Sequence, residues 1–280
     1  MDPLALVLLV ASLSCVACWL ASLITKDTSW VDRLWSVVPV VYVWIFAAAG
    51  LVDGGDPARL LLMAALGTAW GVRLTFNFAR KGGYTGMEDY RWAVLRARMK
   101  PWQFQIFNLF FIVLYQNALL VLITLPAMVA WQNPAPLNAW DVALALIFAA
   151  FLAGETVADQ QQWSFQAAKR QAGGTLEPGF VTTGLWRFSR HPNFFFEQAQ
   201  WWAFYAIGAG AAVASGLGLW GGALNATIVG PALLTLLFLG STAFTEWITS
   251  SRYPRYREYR RTTSMLVPRP PRRAQAPRTA

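Results

Sequence analysis

GLWRFSRHPNFFFEQAQWW, residues 184–202, sets Arg187, Arg190, His191, Asn193 and Glu197 among four phenylalanines and three tryptophans. His191 is the single histidine of the chain. A solvent loop has no use for such aromatics, and a helix facing lipid does not tolerate such charges. What this stretch can be depends on the segments on either side of it.

Those segments are apolar. The 280-residue chain is 56% hydrophobic and 13% charged, against about 25% charged in ordinary soluble domains. Its 15 Trp and 18 Phe suit membrane interfaces as well as interiors. Seven stretches approach the roughly 20 apolar residues that cross a bilayer: 3–24, 31–51, 58–79, 103–130, 139–158, 194–214 and 220–248. The first has no Lys or Arg before it and exceeds a signal-peptide core, so it reads as a retained span. The last contains Gly230-Pro231 and is expected to kink there.

Lys and Arg fall on alternate connections. Residues 25–33 hold two, 80–100 six, 159–192 four and 249–280 nine, whereas the connections between them hold Arg59 alone. Basic residues stay in the cytoplasm, so the alternation predicts seven crossings with the N-terminus outside and the C-terminus cytoplasmic. It also assigns the net charge of +9 to topology, which excludes a nucleic-acid partner. The expected fold is all-α, a polytopic integral membrane protein of about seven transmembrane helices. Residues 1–267 form one domain, followed by a basic tail, 268–280, expected to be disordered near anionic lipid headgroups. Cys15 and Cys18 lie in an apolar helix and make no disulfide framework. One His and two membrane-embedded Cys supply no zinc set, so no metal is expected. The small-residue run GAGAAVASGLGLWGG, 208–222, suits tight helix packing or a dimer face.

Ionisable residues in spans are costly and therefore informative. Asp32 and Arg33 open the second span. Arg73 lies in the third, with Asn77 four residues on; Glu155 and Asp159 are four apart in the fifth; Glu197 and Glu246 belong to the sixth and seventh. All fall at the expected inner-leaflet depth. Snorkelling to the headgroups accounts for any one of them, but short carboxylates reach little distance. Carboxylates on four spans at one depth point to a shared polar cavity open to the cytoplasm. RKGGYTGMEDYRWAVLRARMK (80–100) and RYPRYREYRR (252–261) alternate arginines with tyrosines and carboxylates. Arginines forking onto phosphates, beside tyrosines stacked on a flat ring, would make a nucleotide-sized site. No strand–turn–helix context exists for a Rossmann fingerprint.

GLWRFSRHPNFFFE resembles the G-L-W-R-Y-S-R-H-P-N-Y-F-G-E stretch of bacterial membrane proteins grouped with the steroid 5-alpha-reductases. Related R-H-P-N-Y stretches occur in sterol reductases and, more loosely, in isoprenylcysteine carboxyl methyltransferases. VDRLW (31–35), the region from WGVRL to EDYR (70–91), the E-x-x-x-D of span five and the tyrosine–arginine run 256–262 extend the resemblance over residues 30–267. It implies a membrane reductase that uses NADPH to deliver hydride to an activated C=C bond of a lipophilic enone, steroid-like or isoprenoid. Arg190, His191, Asn193 and Glu197 would line the cofactor site. Glu155 and Asp159 would hold the nicotinamide and ribose end, Arg73 and Arg91 the phosphates, and Tyr256, Tyr259 and Arg260 the closing segment. Asp32 is the nearest equivalent of the acid that meets the substrate; with Glu197 it is a catalytic candidate. Phe194 and Phe196 depart from the pattern, which has Tyr and Gly there. The implied partners are a lipophilic small molecule and membrane lipids, and the implied location is a bacterial inner membrane. Two other readings stand beside this one. One is a methyltransferase using S-adenosylmethionine, against which Trp247 follows Glu246 where those enzymes pair glutamates. The other is a non-catalytic lipid-binding protein.

Overall fold

The computed structural model describes residues 1–272, which are helical and contain no strand, only two isolated bridges. In order, the helices are α1 (Pro3–Thr25), α2 (Trp30–Leu34), α3 (Val38–Val52), α4 (Ala58–Arg80) and α5 (Tyr90–Arg96). Next come α6 (Pro101–Phe107), a π-helical segment (Asn108–Tyr115) and α7 (Gln116–Gln132), without a break. Then follow α8 (Ala139–Gln171), α9 (Pro192–Ala214), α10 (Val229–Arg252) and α11 (Tyr256–Thr262). Six stretches among the described residues are long and apolar enough to cross a membrane: Pro3–Thr25, Trp30–Val52, Ala58–Arg80, Pro101–Gln132, Ala139–Gln171 and Ala226–Arg252. The chain is a polytopic all-α membrane protein. The remaining expected span is α9, a helix of 23 residues. Asn193, Glu197, Gln198 and Gln200 crowd its first half, and it is not among the six.

Several boundaries differ from the sequence expectation, each for a local reason. α8 runs on to Gln171, well past residue 158 where its apolar run ends. Nothing in the polar continuation breaks a helix until Gly173 and Gly174, which both take left-handed φ values. Glu155 and Asp159 therefore sit inside a continuous helix rather than at its end. α10 starts at Val229, which puts Pro231 in its first turn. There the missing N–H costs nothing, and the Gly230-Pro231 pair begins a helix instead of kinking one. The 80–100 connection contains α5, N-capped by the Asp89 side chain, which accepts from Arg91 N at 2.8 Å. Glu88 staples this connection to the one that follows α1. Its Oε1 accepts from Thr28 N and Oγ1 at 3.0 and 2.8 Å, and Arg96 forks onto both oxygens at 2.6 and 3.1 Å. Arg33 likewise pairs with Asp27 at 2.5 Å. Several arginines that the sequence offers to a phosphate are thus already held by carboxylates.

The chain divides into two compact units, Met1–Phe148 with Trp201–Leu234, and Ala149–Gln200 with Thr235–Ala280. The unit boundary falls inside α8, α9 and α10. In the first unit α1, α3, α4 and α7 pack together, burying Tyr42, Phe46, Met63, Trp70, Leu120 and Ile123. Gly208 of α9 is pressed against α7: a Cβ there would come within 2.3 Å of Pro126 O. The small-residue run serves close helix packing at that position. Arg59 is 2% exposed and Asp141 0%. Arg59 Nε and Nη2 fork onto the carboxylate at 2.8 and 2.7 Å, and Nη1 and Nη2 also donate to Ala135 O and Pro136 O.

Candidate functional site

The opening stretch of sequence falls in the second unit, where a tight turn delivers it to α9. Gly184 has φ 62°, and the Gln161 side chain fills the space that a Cβ would take. Gln161 Oε1 accepts from Leu185 N at 2.9 Å, and Trp186 Nε1 donates to Ala158 O at 3.0 Å. Both bonds fasten the 3-10 turn Gly184–Arg187 to α8. Ser189 Oγ then accepts from His191 N at 3.1 Å, and Pro192 opens α9 with the φ a first turn requires. Arg190 and His191 are left buried.

Both meet Glu246, which is buried on α10. Arg190 forks onto it, Nε to Oε1 at 2.6 Å and Nη2 to Oε2 at 3.1 Å. His191 Nε2 lies 3.2 Å from Oε1, Arg260 Nε lies 3.1 Å from Oε2, and the Tyr256 hydroxyl lies 3.5 Å from Oε1. Arg190 Nη1 also donates to the carbonyls of Arg260 and Thr263. A buried carboxylate persists only when it is paired and hydrogen-bonded in this way. Two guanidiniums share one carboxylate, so the cluster keeps a net positive charge. Arg260, whose side chain is 48% exposed, is the member with room to reach another anion.

The C-terminal segment lies along the same turn. Arg190 N donates to Ser264 O at 2.8 Å, Arg269 N to Phe188 O at 2.9 Å and Arg272 N to Thr262 O at 2.8 Å. The first residues of the expected disordered tail, 268–272, therefore carry main-chain hydrogen bonds; residues 273–280 lie outside the described residues. Tyr256 and Tyr259 are buried, and Phe180 packs on both rings, with centroids 4.8 and 5.4 Å away. The Tyr259 hydroxyl donates to Trp186 O. Burial raises the pKa of both phenols, and the Glu246 charge adds to the shift at Tyr256.

A phenol whose folded pKa lies above its unfolded value of about 10 favours the fold while both states are neutral. That contribution is lost as pH rises beyond about 10, where only the unfolded phenol ionises freely. The melting temperature should therefore hold to about pH 10 and fall above it, and the fall should be shallower in a Tyr256→Phe/Tyr259→Phe double variant. Equal slopes in the two proteins would mean that the tyrosines are solvated.

A second polar row joins α8 to α9. Glu155 and Asp159, one turn apart, are both buried. Asn193 Nδ2 donates to Asp159 Oδ1 at 3.3 Å, and Gln200 Nε2 donates to Glu155 Oε2 at 2.7 Å. Asn193, Glu197 and Gln200 follow at intervals of four and three and share one helix face, with Glu197 buried between the other two. Asn193 Oδ1 and Gln200 Oε1 are buried and have no hydrogen-bond partner among the described residues. Because Gln200 Nε2 is committed to a carboxylate, its Oε1 cannot be exchanged for a donor by turning the amide. The row presents acceptors, and it suits a ligand that brings N–H and O–H groups.

The two departures from the reductase pattern are absorbed by packing. Phe194 stacks on Phe238 at 4.7 Å and on His191 at 5.7 Å. Phe196 lies over Gly154, where a Cβ would come within 2.8 Å of the ring. The bulk added at 196 is met by the missing side chain at 154.

Of the residues singled out from sequence, this unit brings together Glu155, Asp159, Arg190, His191, Asn193, Glu197, Tyr256, Tyr259 and Arg260. Asp32, Arg73 and Arg91 belong to the first unit. There Asp32 and Arg91 are neighbours: Trp92 Nε1 lies 3.5 Å from Asp32 Oδ2, and Asp89 and Arg91 both act electrostatically on Asp32. Arg91 forks onto Asp89 at 2.5 to 3.0 Å. Arg73 is half-buried on α4. Sequence reasoning placed Glu246 in the polar cavity without a partner, and it missed Gln200. Glu246 stood out only for its depth, although a carboxylate inside a span demands a cation. Gln200 had no signal beyond its spacing of seven from Asn193.

The comparisons with known proteins cover this same stretch. The family described as Protein of unknown function (DUF1295) matches residues 18–263, a range that takes in both polar clusters. The uncharacterized protein C594.04c of Schizosaccharomyces pombe is 39% identical over 268 residues, which covers 90% of this chain and 75% of the yeast protein. No solved structure matches. With most of its length matched by the family and by a relative of this identity, the chain belongs to the DUF1295 family.

Proposed function

We propose that this protein is a membrane-embedded reductase that uses NADPH to deliver hydride to the activated C=C bond of a lipophilic enone, steroid-like or isoprenoid. The observation that carries the reading is the α8–α9 row, with Asn193 Oδ1 and Gln200 Oε1 lacking partners beside the carboxylates of Glu155 and Asp159. The residues present fit a dinucleotide. The acceptors suit a carboxamide N–H and ribose hydroxyls, and Arg190, of the positive cluster with Glu246 and Arg260, lies just before Asn193 in the chain. When bound, the dinucleotide supplies the hydride; the residues of this chain hold it, orient it and exclude water. Glu197 is the proposed acid that hydrogen-bonds the substrate carbonyl as enolate charge develops. The resemblance of residues 184–197 to the steroid 5-alpha-reductases supports the same chemistry.

Asp159→Ala tests the reading. Loss of a charge-assisted hydrogen bond of roughly 1.5–3 kcal/mol should weaken NADPH binding about tenfold to more than a hundredfold, with little change in melting. The measurement is a nucleotide titration of the detergent-purified protein, run with S-adenosylmethionine in parallel. Unchanged NADPH affinity in a folded variant would make the carboxylate structural, and binding of S-adenosylmethionine instead would favour methyl transfer.

One observation favours a non-catalytic, lipid-binding role. Arg190 and His191 are committed to Glu246, and both tyrosine rings are covered by Phe180. On that reading neither nucleotide binds.

The proposed orientation, with the N-terminus outside and the C-terminus cytoplasmic, rests on the alternation of Lys and Arg and requires α9 to cross. Reporter fusions near residues 90, 175 and 265 should report cytoplasm, and fusions near 54, 135 and 217 the opposite side. Matching reports at 175 and 217 would leave α9 on one side of the membrane. The bacterial inner membrane gains no support, because the family extends to a yeast.

A further inference from the structure

The packing face of α1 is polar in a place where a membrane span has no need of polarity. Ser14, Cys18 and Ser22 follow one another at intervals of one turn and are buried. They lie on the side of α1 that packs against α3, α7 and the π-helical segment. Each meets a polar residue across the interface: Tyr42 beside Ser14, Asn117 beside Cys18, and Asn108 beside Ser22. Tyr42, Asn108 and Asn117 are all 0% exposed.

The hydrogen bonds around these residues are settled on one side only. Ser22 Oγ donates its hydrogen to Trp19 O at 2.8 Å, so it can only accept from Asn108 Nδ2, at 3.0 Å. Asn117 Nδ2 donates at 2.8 Å to Val113 O, which has no hydrogen to give. Neither amide can be turned round. The Oδ1 atoms of both, together with the Tyr42 hydroxyl, have no hydrogen-bond partner among the described residues. Ser14 is the polar neighbour of Tyr42, but it does not reach hydrogen-bond geometry, and the Cys18 thiol beside Asn117 is only a weak donor. Buried acceptors left unmet are costly, more so where no water borders the helix. Asn108 opens a π-helical segment, a rare conformation that recurs at functional sites, and Asn117 follows just beyond its end.

We propose that this seam binds hydroxyl groups inside the membrane-spanning bundle, donated to Asn108 Oδ1 and Asn117 Oδ1 and exchanged with the Tyr42 hydroxyl. From Ser14 to Ser22 the seam is about 12 Å long. The O–H donors come from a file of water or from the hydroxyl end of a lipophilic alcohol. A carbonyl compound cannot satisfy the two amides, which offer it only acceptors. The inference therefore stands apart from the reductase reading.

Asn117→Leu separates a filled seam from an empty one. Val113 O keeps the Gln116 N–H, so the leucine removes only the amide. An orphaned oxygen replaced by leucine should raise the melting temperature; an oxygen holding a hydroxyl should lower it, by roughly 2–8 °C. The second measurement uses Cys15→Ala, which leaves Cys18 as the one thiol of a two-cysteine chain. Methanethiosulfonate ethylammonium, which needs a hydrated thiolate, should modify Cys18 in this protein, and at least ten times more slowly once Asn117→Leu is added. Protection by added farnesol would assign the seam to an alcohol, and labelling unchanged by farnesol would assign it to water. A raised melting temperature in Asn117→Leu, or a Cys18 that stays unlabelled, would overturn the proposal.

Discussion

Glu246→Ala is expected to destabilise the protein by about 3–5 kcal/mol, the range for removing one partner of a buried ion pair. One ordinary hydrogen bond is worth only about 0.5–1.5 kcal/mol, so the excess comes from charge. In the variant the buried Arg190 guanidinium keeps its two carbonyl acceptors, the Arg260 and Thr263 oxygens, but loses its counter-ion. Arg260 loses the same counter-ion, and the two guanidiniums are left to repel each other. At about 2–4 °C per kcal/mol for a chain of this size, the melting temperature should fall by roughly 6–20 °C. Glu246→Gln keeps the shape and part of the hydrogen bonding, and should fall between the alanine variant and the parent. The damage should also be local. Ser264 and Arg269 are held by main-chain bonds to the turn that carries Arg190, so protease cleavage around them should quicken before the rest of the protein opens. If Glu246→Ala melts within about 1 kcal/mol of the parent, the carboxylate is solvated and the cluster holds nothing together.

How much of this arrangement the sequence announces depends on the range of each interaction. A span must supply about 20 apolar residues in a row, so α1, α4, α8 and the α6–α7 run were legible as unbroken strings. Helix faces were legible too: Glu155 with Asp159, and Asn193 with Glu197, follow from a spacing of four. The end of α8 was not, because hydropathy falls at Asp159 while the helix stops only at the glycines 173 and 174. Hydropathy measures what surrounds a helix and says little about where its backbone must stop. Least legible were the partners. Arg190 and Glu246 are 56 residues apart, and Gln200 and Glu155 are 45 apart. No periodicity says which helix face will lie against which. The sequence could show that a buried carboxylate needs a cation, but it could not choose among the many arginines at similar depth.

Arg59 poses the same problem with a cleaner answer, and Asp141→Asn should cost about 3–5 kcal/mol. The wild-type carboxylate does two jobs. It accepts the Arg59 fork, and its Oδ2 accepts from Asn138 N at 2.9 Å. Asn138 Oδ1 in turn accepts from Trp140 N at 2.8 Å and from Asp141 N at 3.3 Å, and the second bond makes a reciprocal cap at the start of α8. Asparagine at 141 can still accept from Asn138 N, so the cap survives, and the loss comes from the charge and from the Arg59 Nε–H left facing an amide N–H. That loss is large because Arg59, 2% exposed, cannot turn to solvent and would face a neutral amide. Arg59→Met alone should cost a comparable amount, leaving a buried carboxylate and the carbonyls of Ala135 and Pro136 without their donor. The double variant Arg59→Met/Asp141→Asn removes both charges and should lie closer to the parent than the two single losses add up to. The coupling should be about 2 kcal/mol or more, within the range seen for contacting residues. This cycle separates a desolvated pair from an interfacial one: exposed pairs couple by about 0.2–1 kcal/mol, and salt screens them. A coupling below 1 kcal/mol that fades at high salt would place Arg59 in the headgroup region, snorkelling as its position in the sequence alone would suggest.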